Sequence, residues 1–434
     1  MLQKILLAVA VAGALVSGNA LADKGGKGHF TFNPIDSSAK SADWDPTAPW
    51  KLPKGFTQTV VSDETDLNIY DAGRDDWQDM NTVNETGPQA GRFMYRTHEV
   101  RGVPEGGAVS VVDLKTGAAK VIAQDASWDA LDGIRWTPWG TVLFAEEVDG
   151  GRLLEMFLDP NDLTSASSVV ERPQVGLMAH EGIDIDASGA VYVVDEHRGQ
   201  TEGCSLGTPC GGGIYKFVPN TYGDLSSGLL YTLKVTGSDG VGQGEWVGPI
   251  NPSLVRESGK TAGGTSYQRP EDLEIIGDTL YVAITEGPRT QGTGAEVYDG
   301  RVIAIDLNTL KVTNFVKAGV NVPVEIGSPT AANYQTGFDN VDNLAEAPDG
   351  RLILIEDNVP SDIWFASTKK VNEYGASEEV ELFASLTDPQ AEGTGIYFSP
   401  TDPKTLYVNV QHSASPDGDG TWAITKKGHG HGHD

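Results

Sequence analysis

The chain has 434 residues, with 61 Asp and Glu against 31 Lys and Arg, and a formal charge of −30 at pH 7. Binding a polyanion needs a basic face, so this balance excludes nucleic acid as a partner. It suits a well-solvated acidic surface, and it suits carboxylates neutralised by divalent cations.

In chain order, residues 1–22 (MLQKILLAVAVAGALVSGNALA) carry one lysine, a short apolar stretch and the small-residue end Ala20-Leu21-Ala22. This is the pattern of a signal peptide cut before Asp23, so a periplasmic or secreted location is expected. No later segment offers the roughly eighteen unbroken apolar residues of a transmembrane helix. Residues 23–90 read as an N-terminal extension that includes the acidic loop GRDDWQDMNTVNETG. From 91 to 424, short alternating runs are bounded by Gly, Asp, Asn and Pro, which indicates an all-β chain. Residues 425–434 form a His/Gly-rich tail, which reads equally as a transition-metal trap or a disordered end.

A repeat runs through the strands. LDGIRWTPWGTVLFAEE, HEGIDIDASGAVYVVDE and VDNLAEAPDGRLILIED share one plan: strand, glycine turn, strand, two acids. The pairs Glu146-Glu147, Asp195-Glu196 and Glu356-Asp357 fall at the same offset from Gly140, Gly189 and Gly350. RPEDLEIIGDTLYVAITE and AEGTGIYFSPTDPKTLYVNVQH fit more loosely, and segments such as GAVSVVDLKTGAAKVI supply further strands. The expectation is a β-propeller of six blades with irregular acidic loops; five or seven blades also fit the spacing.

A single acid pair after a strand usually caps a turn. Acids in one register on several blades point instead to a shared central cavity that holds cations. The candidate metal ligands are Glu146, Glu147, Glu181, Asp195, Glu196, Glu271, Asp272, Asp342, Glu356, Asp357 and Glu392, with Asp132 in the same leading position as Glu181. His98, His180, His197 and His412 sit near blade ends and form a candidate channel cluster. Cys204 and Cys210, in EGCSLGTPCGGG, suggest a local disulfide in an oxidising compartment. SPDGDG, with Asp417 and Asp419, is half of a calcium loop without its downstream acid.

TPWGTVLFAEE, DEHRG followed by GGIYKFVP, QRPEDLEI and FSPTDPKTLYVNVQH, in this order, resemble the bacterial PhoX-type alkaline phosphatases. That resemblance implies a six-bladed propeller with several calcium ions and a pair of irons at the channel mouth, acting on small phosphate monoesters. It implies catalytic roles for Arg269, contacting phosphate, and Glu271, ligating metal, within Arg269-Pro270-Glu271; a plain salt bridge from Arg269 to Asp272 or Glu274 is the alternative. It also places Glu146 and Glu147 at the end of the family's Cys-Glu-Glu signature. Here Ala145 stands where that cysteine would bridge the irons, and this departure disfavours an iron pair and leaves an oxygen-only site suited to calcium or magnesium, with several calcium ions expected. The signal segment has no twin-arginine motif. A monomeric, calcium-dependent phosphatase-like hydrolase is the leading expectation, with a calcium-dependent lactonase or esterase, or a non-catalytic calcium-stabilised binding propeller, as alternatives.

Overall fold

The structure is a computed structural model that describes residues 30–70, 76–197, 211–286, 289–290, 296–297, 300–324 and 337–427. The expected signal peptide, Cys204, Cys210 and most of the His/Gly tail lie outside the described residues.

Turns with left-handed glycines, among them Gly140, Gly189 and Gly350, reverse the chain between strands and fold it into six four-stranded antiparallel blades. The innermost strands are Gln78–Val83, Leu131–Trp136, His180–Ile185, Pro270–Ile276, Val341–Glu346 and Glu392–Phe398. Each packs against the next in this order, and Glu392–Phe398 packs back on Gln78–Val83, which closes the ring around a channel. The expected six-bladed, all-β propeller is the observed architecture.

Three strands come from the stretch that the sequence assigns to an N-terminal extension, the shortest of which, Trp50–Lys51, pairs with Val380–Leu386 at the edge of blade 5. Gln78–Val83 is the innermost strand of blade 1, and Phe56–Asp63 pairs with Gly420–Lys426 as the outer strand of blade 6. Blade 6 therefore joins both ends of the propeller in one sheet. Ahead of it, Phe30 packs on Phe56, Phe365, Phe383 and Phe398 with ring centroids 4.6–5.7 Å apart. Each such fully buried ring contributes about 1.5–3 kcal/mol. Strand Gly242–Val247 links the outer edges of blades 3 and 4, and Val255–Ala262 is the sole α-helix among the described residues.

Two local features position the site. All six innermost strands carry a register shift near their start, between Gln78 and Asn81, Leu131 and Ile134, His180 and Ile183, Pro270 and Leu273, Val341 and Leu344, and Thr394 and Tyr397. A β-bulge of this kind re-aims the side chains it carries. In four blades the residue just before the strand, Trp77, Ala130, Arg269 or Asn340, has φ between 39° and 53°. These are left-handed conformations that non-glycine residues adopt at a cost, and such strain clusters at functional sites.

Candidate metal centre at the channel mouth

In five blades the first bulged residue is an acid: Asp79, Asp132, Glu181, Glu271 and Asp342. All five line one cavity of about 180 Å³ at the channel mouth. Blade 6 has Gly395 at the equivalent place, where a Cβ would lie 2.2 Å from the carbonyl oxygen of Asp79. Gly182 follows Glu181 for a similar reason, since its Cβ would lie 2.4 Å from Asp272 Oδ1. Glu99, Glu147, Asp357 and Glu392 add four more carboxylates, against Arg101, Arg269 and His412.

The acid pairs divide in a way the sequence did not reveal. The first acid of each pair ends a strand and stays in the ladder, whereas the second faces the channel side. Glu146 accepts from Arg152 Nε at 2.7 Å and from the Asp129 amide. Asp195 accepts from Arg256 Nη2 at 2.7 Å and from the Ala179 amide. Glu356 accepts from Trp364 Nε1 at 2.8 Å and from the Asp339 amide. Glu146, Asp195 and Glu356 thus hold blade ends together and do not line the cavity, contrary to their assignment as metal ligands.

Of the second acids, Glu147 and Asp357 line the cavity, while Glu196 stands behind it and accepts from Arg269 Nε at 2.6 Å. Asp272, the second bulged residue, turns away to accept from the Leu273 and Leu344 amides at 2.7 and 2.8 Å, tying blade 4 to blade 5. Its expected role as a ligand gives way to that of a clamp. Glu392 lines the cavity beside His412, with Oε1 3.4 Å from Nε2.

Five cavity residues escaped the sequence reading: Asp79, Glu99, Arg101, Thr394 and Gln411. Glu99 occupies the register of Glu147, but His98 replaces the first acid of its pair. The expected histidine cluster does not form. His98 is buried and bonded to the Asp76 carbonyl and Ser110, His180 is buried against the Gly176 carbonyl, and His197 lines a different pocket. Burial pushes His98 down to about 3 and His180 to about 4, so both remain neutral. His412 alone of the four reaches the cavity. Asp419, in SPDGDG, accepts from the amide of Ser413 just ahead of that segment at 2.7 Å.

The electrostatics of the cavity are those of crowded, desolvated acids. Burial, and then neighbouring carboxylates, push Asp79, Asp132, Glu181 and Asp342 well above the usual range. Burial raises Glu271 as well, against the opposing charge of Arg269. Glu147 rises to about 9, through burial and then Glu99, with Arg101 opposing. Such groups need protons or cations. Two sets of three, Asp132–Glu147–Glu181 and Glu181–Glu271–Asp342, bring carboxylate oxygens within 4.8 Å of one another. Asp132 Oδ1 is buried with no hydrogen-bond partner among the described residues. An oxygen-only donor set with an unsatisfied buried oxygen fits a hard divalent cation. Ala145 is fully buried among Leu143, Leu153 and Ile183 and brings no donor to the cavity.

Arg269 lies between three acids: Nε is 2.6 Å from Glu196 and 3.0 Å from Glu271, and Nη2 is 3.7 Å from Asp357. It does not pair with Asp272 or Glu274. A larger cavity, about 510 Å³, opens at the other end of the innermost strands. There Arg135 pairs with Glu274 at 2.9 Å and with neighbouring Asp184 at 2.8 Å, Asp272 accepts from a backbone amide, Glu85 accepts from Tyr397, and isoleucines, leucine and prolines form much of the wall, so fewer carboxylates crowd this end than the channel mouth.

The family model of alkaline phosphatase PhoX matches residues 155–414. The chain belongs to the PhoX alkaline phosphatase family. In fold it is similar to Pseudomonas fluorescens PhoX, solved with vanadate, a transition state analogue, at 18% identity and a TM-score of 0.63, covering 92% of this chain and 98% of that one. Lesser likenesses are the calcium structure of a Trichoderma reesei Carbohydrate-Active Enzymes Family AA12 protein (9% identity, TM-score 0.49, 88% and 99% covered) and the PQQ-bound aldose sugar dehydrogenase of Streptomyces coelicolor (12%, 0.45, 86% and 99%). No curated protein matches the chain in sequence. No helix among the described residues is long and apolar enough to cross a membrane.

Proposed function

We propose that this PhoX-family protein is an exported, calcium-dependent phosphatase that hydrolyses small phosphate monoesters at the acid-lined channel mouth. The observation that carries the reading is the state of Arg269. Its Nε is engaged by Glu196, while its two Nη groups make no hydrogen bond among the described residues and border the cavity. A guanidinium so anchored presents its remaining donors as a fork for two phosphoryl oxygens.

Asp132, Glu147, Glu181, Glu271 and Asp342 would hold the cations, calcium being favoured by the all-oxygen donor set. Bound there, divalent cations reverse the sign of the local field and stabilise charge on the phosphoryl oxygens. Arg269 orients the phosphoryl group, and the His412 imidazole, at the cavity edge, delivers a proton to the departing alcohol oxygen.

The test is turnover of p-nitrophenyl phosphate by chelator-stripped protein before and after calcium is restored. Activity should return with calcium and fall roughly 10²–10³-fold in Arg269→Ala, the range for losing one preorganised donor to a developing oxyanion. Turnover that ignores both calcium and Arg269, or turnover of lactones without any of phosphate esters, would overturn the reading.

A further inference from the structure

Arg101 is the second arginine of the cavity, and its surroundings differ from those of Arg269. It lies in the loop between strands Phe93–His98 and Ala108–Asp113 of blade 1 and stands at the mouth with 44% of its side chain exposed, against 15% for Arg269. It donates to the carboxylates of both Glu99 and Glu147, and through Nη1 to the Glu147 carbonyl at 3.2 Å. Glu147 is therefore claimed twice, as the partner of Arg101 and as one of three carboxylates converging with Asp132 and Glu181. Two cationic partners on one carboxylate repel each other, the more so where burial lowers the effective dielectric. A long, half-exposed arginine side chain can leave such a pair without losing a buried anchor.

We propose that Arg101 is an internal counter-ion that yields Glu147 to a divalent cation and then turns its guanidinium to the anionic substrate. Resting on the phosphatase reading, this makes Arg101 a substrate-binding residue that couples cation binding to anion binding. It sets calcium affinity below what the carboxylates alone would give, and it adds a donor for phosphate once calcium is in place. A purely structural arginine, holding Glu147 in a ligating pose, has the opposite signature, because its loss would weaken calcium binding.

The experiment is calorimetric titration of chelator-stripped mature protein with calcium chloride, then of the calcium-loaded protein with inorganic phosphate at concentrations that leave the solution clear. Arg101→Gln should bind calcium roughly tenfold tighter, from the repulsion removed, and phosphate roughly tenfold more weakly, from the charged donor lost. Arg101→Lys keeps the charge and should stay within about twofold of the native calcium affinity. Unchanged or weaker calcium binding in Arg101→Gln, unchanged phosphate binding, or a lysine variant as tight for calcium as the glutamine one would each overturn the proposal. Both readouts are equilibria, so if the native protein hydrolyses no phosphate ester while both shifts occur, the phosphatase reading fails and the role of Arg101 stands.

Discussion

Removing divalent cations from the channel mouth should make the protein lose stability as pH rises above neutrality. The sign follows from burial. Glu147 stands at about 9 in the fold against 4.5 for the free side chain. Between those values the cation-free folded chain holds a proton that the unfolded chain has released. The resulting stabilisation is fully present below the unfolded value and is lost as pH climbs through the folded one. One such group costs about 1.4 kcal/mol per pH unit, or about 2 kcal/mol between pH 7 and 8.5. At about 2.1 cal/mol/K of unfolding entropy per residue, the 434-residue chain converts that to a fall of about 2 °C in Tm. Asp79, Asp132, Glu181, Glu271 and Asp342 are pushed the same way, so this figure is a floor.

Glu274 and Glu392, raised by burial, add to the slope, and Asp272 and Asp362, pushed up to about 7, finish titrating near the start of the window; other groups contribute little. Asp113 and Asp162, held at about 2 by hydrogen bonds, have finished titrating. His98 and His180, buried and pushed down, matter only below about pH 7, where the unfolded histidines charge. Saturating calcium should remove the slope, because it binds the deprotonated acids, and should add about 2.7 kcal/mol at a hundredfold excess over Kd. Thermal unfolding by circular dichroism at pH 7, 7.75 and 8.5, with and without calcium, is the assay. A cation-free Tm that stays level or rises over this range would refute the reasoning.

Three further outcomes follow from the geometry. Glu146→Gln breaks a buried pair with Arg152 and should destabilise the fold by about 3 kcal/mol while leaving calcium stoichiometry unchanged; Glu147→Gln should do the reverse, which calorimetry and melting together resolve. His412→Gln should slow hydrolysis of glycerol phosphate roughly 10²-fold or more but hardly affect p-nitrophenyl phosphate, whose leaving group departs without a proton; equal losses on both would remove His412 from proton delivery. Gly182→Ala should weaken calcium binding and cost about 1–3 kcal/mol, because the added carbon meets Asp272 across the bulge that carries Glu181, and chemical denaturation with a calcium titration reads both.

The propeller and its acid-lined mouth were legible in the sequence because period-2 strands, glycine turns and acids recur at fixed offsets. Which acid of each pair faces the channel was not legible. Glu146 and Glu147 are equivalent as letters, and only the ladder pairing of Glu146 with Leu131 sends one into the blade and the next toward the cavity. The bulges were equally hidden, since an extra residue in a strand leaves no compositional trace, so Asp272 read as a ligand although it clamps two blades. Asp79 was concealed by its setting: QDMNTV lies in an acidic loop sequence with no alternation, yet all six of its residues are buried as the first blade's inner strand. Strand Phe56–Asp63 had no partner visible nearby, because the strand it pairs with lies at the other end of the propeller.

Counting calcium on the native protein and on Glu181→Gln tests the central claim most directly, because Glu181 belongs to both converging carboxylate sets. Elemental analysis after gel filtration should find at least two calcium ions per native chain and fewer than one in the variant, with the variant still folded by circular dichroism. Equal calcium in the two proteins, or none in the native one, would contradict a cation centre at the channel mouth.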